Sequence, residues 1–237
     1  MRLSRRLALT AFAAVSGAIP VKVRALIPMR IGVIGAGWLG GTVGRRWVEA
    51  GHEVMFSSRH PDELLAMTRP LGPRASVGTP RQAAEFGSVL LFAVPYSALP
   101  QLGRALQDAI RGKIVLDACN PGPSGEAELT RECEVNGVAA TSVKYLPGTR
   151  LVRAFSAVDA TSVAASGIRG STLGVPIAGD DDEAIQTAAQ LVRDAGCEPV
   201  VVGKLADARS FQRGGPGFRA NTTAAKLRSV LGLPDGP

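Results

Sequence analysis

RIGVIGAGWLGG, residues 30–41, decides the fold. Its first five residues form a short apolar run that reads as a buried strand, and the chain then turns directly into glycines. Gly35, Gly37 and Gly40 satisfy the spacing G-x-G-x-x-G. Gly35 suits a tight turn, Gly37 lets backbone approach a pyrophosphate, and Gly40 allows a helix to pack closely on the strand. The helix starting near Trp38 would offer its unpaired N–H groups and positive dipole end to that diphosphate.

Working outward, TVGRRWVEAG (42–51) has helical spacing and ends on a glycine stop signal, and HEVMF (52–56) reads as a second strand. The second strand thus ends about 20 residues past the fingerprint, where an acid would accept hydrogen bonds from a ribose 2′-hydroxyl. This chain has FSSRHP (56–61) there instead. Ser57 and Ser58 supply hydroxyls and Arg59 a positive charge that would favour a 2′-phosphate, so the expected dinucleotide is NADP(H).

Beyond residue 60 the alternation continues. A broken helix (61–72), strand (75–79), short helix (80–86), apolar strand (88–94), helix (97–110) and strand (112–119) predict an α/β fold: a Rossmann doubly wound parallel sheet. Ligands of such sheets bind at the carboxyl ends of the strands. VPY (94–96) and DACNP (117–121) fall at two of those ends, so Tyr96 and Asn120 are candidates for contact with ribose or nicotinamide, although Asn-Pro is also an ordinary turn starter. RLVRAFSA (150–157) reads as a strand completing the main sheet. A strand at 171–181, a helix over 181–196 and a strand over 197–205 then form a small C-terminal α/β lobe. The domain reading is therefore leader and linker 1–28, Rossmann domain 29–157, small lobe 158–210 and C-terminal tail 211–237. The alternative for 211–237 is a loop over the active site. Asp180, Asp181 and Asp182 sit at a helix start, where carboxylates cap free N–H groups, so no metal site is expected.

The net charge of +7 is mostly a property of the leader, because Arg2, Arg5, Arg6, Lys22 and Arg24 supply five of those charges and residues 1–25 hold no acid. With a small remaining charge and no basic stripe carrying aromatics, a nucleic-acid partner is not expected. Ser4-Arg5-Arg6, an apolar run from Leu7 to Ile19 and a Val-Arg-Ala end resemble a twin-arginine export signal, predicting a periplasmic protein; translation from Met29 would instead make it cytoplasmic. The 13-residue apolar run is too short to span a bilayer. Cys119, Cys133 and Cys197 are too widely spaced for a metal or disulfide framework. Neither His52 nor His60 is well placed as a general acid.

Taken in order, IGVIGAGWLGGTVGRRWVEAGHEV, SSRHPDEL, GKIVLDACNP, LVRAFSA and PIAGDDDEAIQTAAQLVRDAGCEPVVVGKLADAR resemble the coenzyme F420-dependent NADP oxidoreductase family over residues 30–210. The resemblance implies NADP(H) on the glycine loop and a second redox partner, a deazaflavin (F420) or a flavin, stacked over the nicotinamide. It places Gly35, Gly37, Trp38, Leu39 and Gly40 at the diphosphate, and Ser58 and Arg59 at the 2′-phosphate. Val94, Pro95, Asn120 and Ala154 would lie along the ribose and nicotinamide. Ser156 stands where the family usually has Asn or His near the accepting ring, and is the candidate for a hydrogen bond to that ring.

The expected function is hydride transfer between NADPH and a small-molecule redox acceptor, with little demanded of side chains because the cofactors supply the electronic chemistry. The alternatives are reduction of a small carbonyl or imine, and a non-enzymatic NADP(H)-binding sensor or interaction protein. A homodimer is compatible with this reading.

Overall fold

The computed structural model describes residues 27–122, 127–168 and 170–235. The export signal read in the sequence falls, up to residue 26, outside the described residues. No helix among the described residues is long and apolar enough to cross a membrane.

Eight strands form one sheet: β1 (Arg30–Ile34), β2 (Glu53–Ser57), β3 (Ala75–Gly78), β4 (Val89–Phe92), β5 (Ile114–Asp117), β6 (Arg150–Arg153), β7 (Gly174–Gly179) and β8 (Glu198–Gly203). Their order across the sheet is β3-β2-β1-β4-β5-β6-β7-β8. The first six run parallel. This arrangement reverses direction from β1 at β4, the switch point where α/β sheets open a ligand crevice.

Burial on both faces explains the uninterrupted apolar runs of β4 and β5, in which every residue is buried. Successive side chains point to opposite cores. Val33, Leu91 and Leu116 enter one cluster with Trp47, Phe56 and Phe155, whereas Ile34, Leu90 and Val115 enter the other with Phe92 and Leu99.

The first core is covered by α1 (Trp38–Ala50), α8 (Ala160–Ala165) and α9 (Asp182–Asp194). Trp47 anchors that layer: it is fully buried, its indole N–H donates to Leu191 O at 2.7 Å, and its ring meets Phe155 edge-on. Arg46 of the same helix donates to the carbonyls of Ala164 and Ser166, which fixes α8 beside α1. α3 (Pro80–Phe86) follows β3 and is started by a Thr79–Gln82 capping box with Pro80 in the first turn. The short α2 (Leu65–Thr68) packs beside β3. The segment expected as one helix over 97–110 is a 3₁₀ turn followed by α4 (Leu99–Ala105) and α5 (Gln107–Ile110), broken at Leu106. Two helices absent from the sequence reading, α6 (Ala127–Asn136) and α7 (Val138–Tyr145), carry the crossover from β5 to β6.

The structure revises the organisation of the last third. β6 does not complete the sheet, because β7 pairs with it antiparallel and β8 pairs parallel with β7. The C-terminal βαβ unit therefore extends the main sheet, and residue 157 marks a change of strand direction without a new sheet. Nor is the segment after residue 210 a loose tail. Leu173 bridges Thr223, Gly174 N donates to Thr222 O, and α10 (Ala224–Val230) buries Ala224 and Leu227 against Val200.

Candidate functional site

The glycine loop joins β1 to α1. Gly35 has φ +96°, and a Cβ there would lie 2.6 Å from Ala93 O, so both backbone conformation and space demand glycine. A Cβ on Gly40 would meet Gly35 O at 2.2 Å, which is the close helix-to-strand approach expected from the spacing. Gly37, in contrast, faces open space, and as the N-cap of α1 it brings no side-chain cap to the first-turn N–H groups. Those donors need an acceptor from outside the helix. Backbone shape, free donors and the positive end of a 13-residue helix thus fit a diphosphate.

At the end of β2 the expected residues separate. Ser57 is fully buried and its hydroxyl donates to Val33 O at 2.7 Å, so it has no hydroxyl proton to give a phosphate. Its place as the last strand residue points it inward. Ser58 Oγ accepts from His60 N at 2.9 Å, which tightens the loop and leaves the hydroxyl proton for a ligand. Arg59 is exposed and makes no ion pair among the described residues. An unpaired guanidinium one strand away from the diphosphate cradle matches a 2′-phosphate.

Past the switch point, Val94 is half-buried and Pro95 exposed at the end of β4. Tyr96, expected to contact ribose or nicotinamide, keeps its phenol inside the protein. It is 1% exposed, and its phenol bonds Val138 O at 3.1 Å and Ser142 Oγ at 3.0 Å inside the protein. Burial raises its pKa further above the ordinary tyrosine range. The residue before it, Pro95, shapes the loop so that the ring turns toward α7.

The ends of β5 and β6 hold a network that the sequence reading missed. Asp117 and Arg153 are register partners on adjacent strands, with 0% and 1% of their side chains exposed. Arg153 Nη1 donates to Asp117 Oδ2 at 2.6 Å and to Cys119 O at 2.7 Å, and Nη2 donates to Asn120 Oδ1 at 3.0 Å. Asp117 Oδ1 accepts from Cys119 N at 2.9 Å. The Asn120 amide completes the chain by donating to Ser156 O at 2.6 Å. Asn120, expected to touch ribose or nicotinamide, spends its amide inside the protein and fixes the two strand-end loops to each other. Cys119 is buried at 1% exposure, and burial next to Asp117 pushes its thiol pKa well up, so it is an inert packing group.

Ala154 is fully buried, and the backbone beyond it is strained: Phe155 has φ +59°. Ser156 follows at 4% exposure, and its Oγ is a buried polar side-chain atom without a hydrogen-bond partner among the described residues. An unmade bond at such an atom costs about 1–3 kcal/mol, and the Ser156 hydroxyl is the group at this strand end without a partner among the described residues.

A cavity of about 280 Å³ lies between the glycine loop and the start of α8, lined by Trp38, Leu39, Val158, Asp159, Thr161 and Arg219. Trp38 is 76% exposed on its wall. The C-terminal segment closes the other side: Arg219 N donates to Ala157 O, Arg219 pairs with Asp159 Oδ1 at 2.5 Å, and Asn221 bonds both Asp159 N and Asp159 Oδ2. Arg219 and Asn221 have φ +55° and +43°, so the non-glycine residues with positive φ gather around this cavity and the strand end below it. Such backbone costs about 1–3 kcal/mol per residue and persists where surrounding contacts impose it.

The acidic run behaves as capping chemistry. Asp181 accepts from Ala184 N at the start of α9 and forms a two-point pair with Arg150, while Asp180 accepts from Leu205 N. No cluster of metal-ligating side chains occurs among the described residues.

Residues 30–121 match the family described as NADP oxidoreductase, coenzyme F420-dependent. Metalloreductase STEAP3 of Rattus norvegicus is 30% identical over 186 residues, 77% of this chain and 36% of the rat protein, so the chain spans about a third of that relative. Among solved structures, a hypothetical protein of Sinorhizobium meliloti superposes with a TM-score of 0.66 at 26% identity, over 81% of this chain and 93% of that one. A protein of Arthrobacter sp. described as an F420-dependent NADP-reductase gives 0.62 at 20% identity, over 77% and 88%. The glycine-floored turn, the guanidinium one strand away and the strand ends of β4 and β5 all lie inside the matched segment, so residues 30–121 carry the pattern of the coenzyme F420-dependent NADP oxidoreductase family.

Proposed function

We propose that the chain carries hydride from NADPH to a flat conjugated acceptor, a deazaflavin such as F420 or a flavin. The observation that carries this reading is the pairing of an uncapped glycine-loop helix with the free Arg59 guanidinium at the end of β2. When bound, NADPH supplies a hydride, two electrons and one proton, so that flavin, NADPH and one solvent proton give dihydroflavin and NADP⁺.

The chain's own groups bind and orient. First-turn N–H groups of α1 take the diphosphate, Ser58 and Arg59 take the 2′-phosphate, and Val94 with Pro95 forms an apolar wall. The Asp117–Arg153–Asn120 network holds the loops at 118–121 and 154–157 against each other, which fixes the backbone around Ser156 before any ligand arrives. Order of this kind contributes through distance and orientation.

The test is NADPH oxidation in the presence of F420, FMN or riboflavin, alongside calorimetry with both nicotinamide nucleotides. Arg59→Glu is expected to weaken NADPH by about 10- to 100-fold, roughly 1.4–2.7 kcal/mol, and to leave NADH nearly unchanged. Equal loss for both nucleotides would remove the 2′-phosphate from the reading, and NADPH left unoxidised with every acceptor would remove the hydride transfer.

A further inference from the structure

The C-terminal segment returns to the cavity beside Trp38, and it brings a positive charge there. Trp38 and Leu39 open α1, the helix whose first-turn N–H groups lack a side-chain cap, so the cavity adjoins the end of that helix meant for a diphosphate. Asp159 and Arg219 are the ionisable residues of its lining. Left alone, the Asp159 carboxylate would repel a phosphoryl group. Arg219 Nη2 stands 2.5 Å from its Oδ1 and matches that charge.

The way Asp159 is used shows what this wall is built to hold. It is the N-cap residue of α8, where a carboxylate ordinarily accepts from first-turn N–H groups, yet it makes no side-chain cap bond. Its Oδ1 faces Arg219 and its Oδ2 accepts from the Asn221 amide, while Asn221 Oδ1 accepts from Asp159 N. Arg219 N adds a bond to Ala157 O. These anchors hold Arg219 and Asn221 at φ +55° and +43°, left-handed backbone that persists in non-glycine residues only where contacts impose it. The start of α8 forgoes its cap, and the position of one arginine is fixed instead. That side chain is still 60% exposed, and a guanidinium has five N–H donors, so the fork retains donors for a second acceptor.

We propose that Arg219 is a further dinucleotide-binding residue, whose guanidinium donates to the diphosphate across the cavity from the first turn of α1. The inference rests on the dinucleotide half of the proposed function and is independent of the acceptor. A planar, permanently charged fork suits phosphoryl oxygens, and its charge-assisted bonds exceed those of the neutral N–H groups on the helix. Two arginines then divide the ligand. Arg59 reads the 2′-phosphate, which NAD(H) lacks, whereas Arg219 holds the group that NAD(H) and NADP(H) share.

The experiment is calorimetry of the full chain with NADPH and with NADH. Arg219→Ala is expected to weaken both by the same factor, about tenfold at low salt, and the loss should shrink as ionic strength rises. Asn221→Ala removes anchors of the strap without touching a charge, and should cost about twofold or less. Arg219→Ala placed on an Asp159→Asn background should still cost about tenfold, because the lost contact is with the ligand. Should the alanine variant melt early, Arg219→Lys carries the test, with a smaller loss that is again equal for the two nucleotides. Unchanged affinity in Arg219→Ala would overturn the inference, and so would a loss confined to NADPH, which would make Arg219 a 2′-phosphate residue. Equal losses in Asn221→Ala and Arg219→Ala would reduce the strap to a structural fastening. A loss that disappears on the Asp159→Asn background would reduce Arg219 to a mask for that carboxylate. Each of these outcomes leaves the dinucleotide reading standing, since wild type still binds; wild type that binds neither nucleotide would sink that reading and the inference with it.

Discussion

The two ends of the crevice are built on opposite terms. At the β1–α1–β2 end, donors are left over: the first turn of α1 has no side-chain cap, and Arg59 has no acidic partner among the described residues. At the β5–β6 end nearly every polar group is consumed internally, down to a buried ion pair, and Ser156 Oγ is what remains. The difference teaches which end is made for affinity and which for geometry. Free donors gain their hydrogen bonds from a ligand, whereas a satisfied buried network supplies rigidity before any ligand arrives.

The comparison breaks most severely if the buried pair is not structural. Arg153→Met strands the Asp117 carboxylate, and urea denaturation should show a loss of about 3–5 kcal/mol. Combining it with Asp117→Leu should recover part of that loss, which would separate a stranded charge from lost packing. Next in size, Gly35→Ala forces a Cβ to within 2.6 Å of Ala93 O and strains φ +96°. Calorimetry should show NADPH affinity falling by about 100-fold or more, roughly 2.7 kcal/mol. An unaffected affinity would mean that the free end is not the affinity end.

A smaller effect tests the rigid end. Ser156→Ala removes an unpaired buried hydroxyl, so the melting point should rise, by the equivalent of about 1 kcal/mol, while kcat drops several-fold and NADPH affinity holds. Lower stability together with unchanged kcat would assign Ser156 to packing. The smallest concerns Asp181, outside both ends. Its carboxyl is held down to about 2 from 3.8, first by Arg150 and then by the Ala184 N–H. A depressed carboxyl contributes stability that is complete above 3.8 and fades as pH falls through about 2. Asp181→Asn should therefore flatten the acid limb of the stability profile within that window, leaving the crevice unaffected.

The affinity end was legible in the sequence because its information is local. Gly35 to Gly40 and Arg59 lie within one βαβ unit, and spacing alone places them on the first turn and at the next strand end. The rigid end was not, since Asp117 and Arg153 meet only after β5 and β6 become neighbours in register, 36 positions apart. Nothing in DACNP or LVRAFSA announces that Asn120 will spend its amide on Ser156 O. Tyr96 was misread for a related reason: a residue after a strand end can turn to either side, and its phenol is held by α7, an element that the sequence reading did not contain. Ser57 shows the reverse case, in which strand alternation was available and would have pointed its hydroxyl inward. The C-terminal strap depends on Asp159 meeting Arg219 and Asn221 across some sixty residues, so a stretch rich in glycine and charge looked like a tail.

The two tryptophans have a practical consequence. Trp47 sits in a dry, rigid cage with its N–H on Leu191 O, while Trp38 stands in water at the mouth of the crevice. Emission from the first should be blue and report on the integrity of the molecule; emission from the second should be red and report on who has entered. The chain thus carries a two-colour lamp, and a titration watched at both wavelengths distinguishes occupation from collapse without any added label.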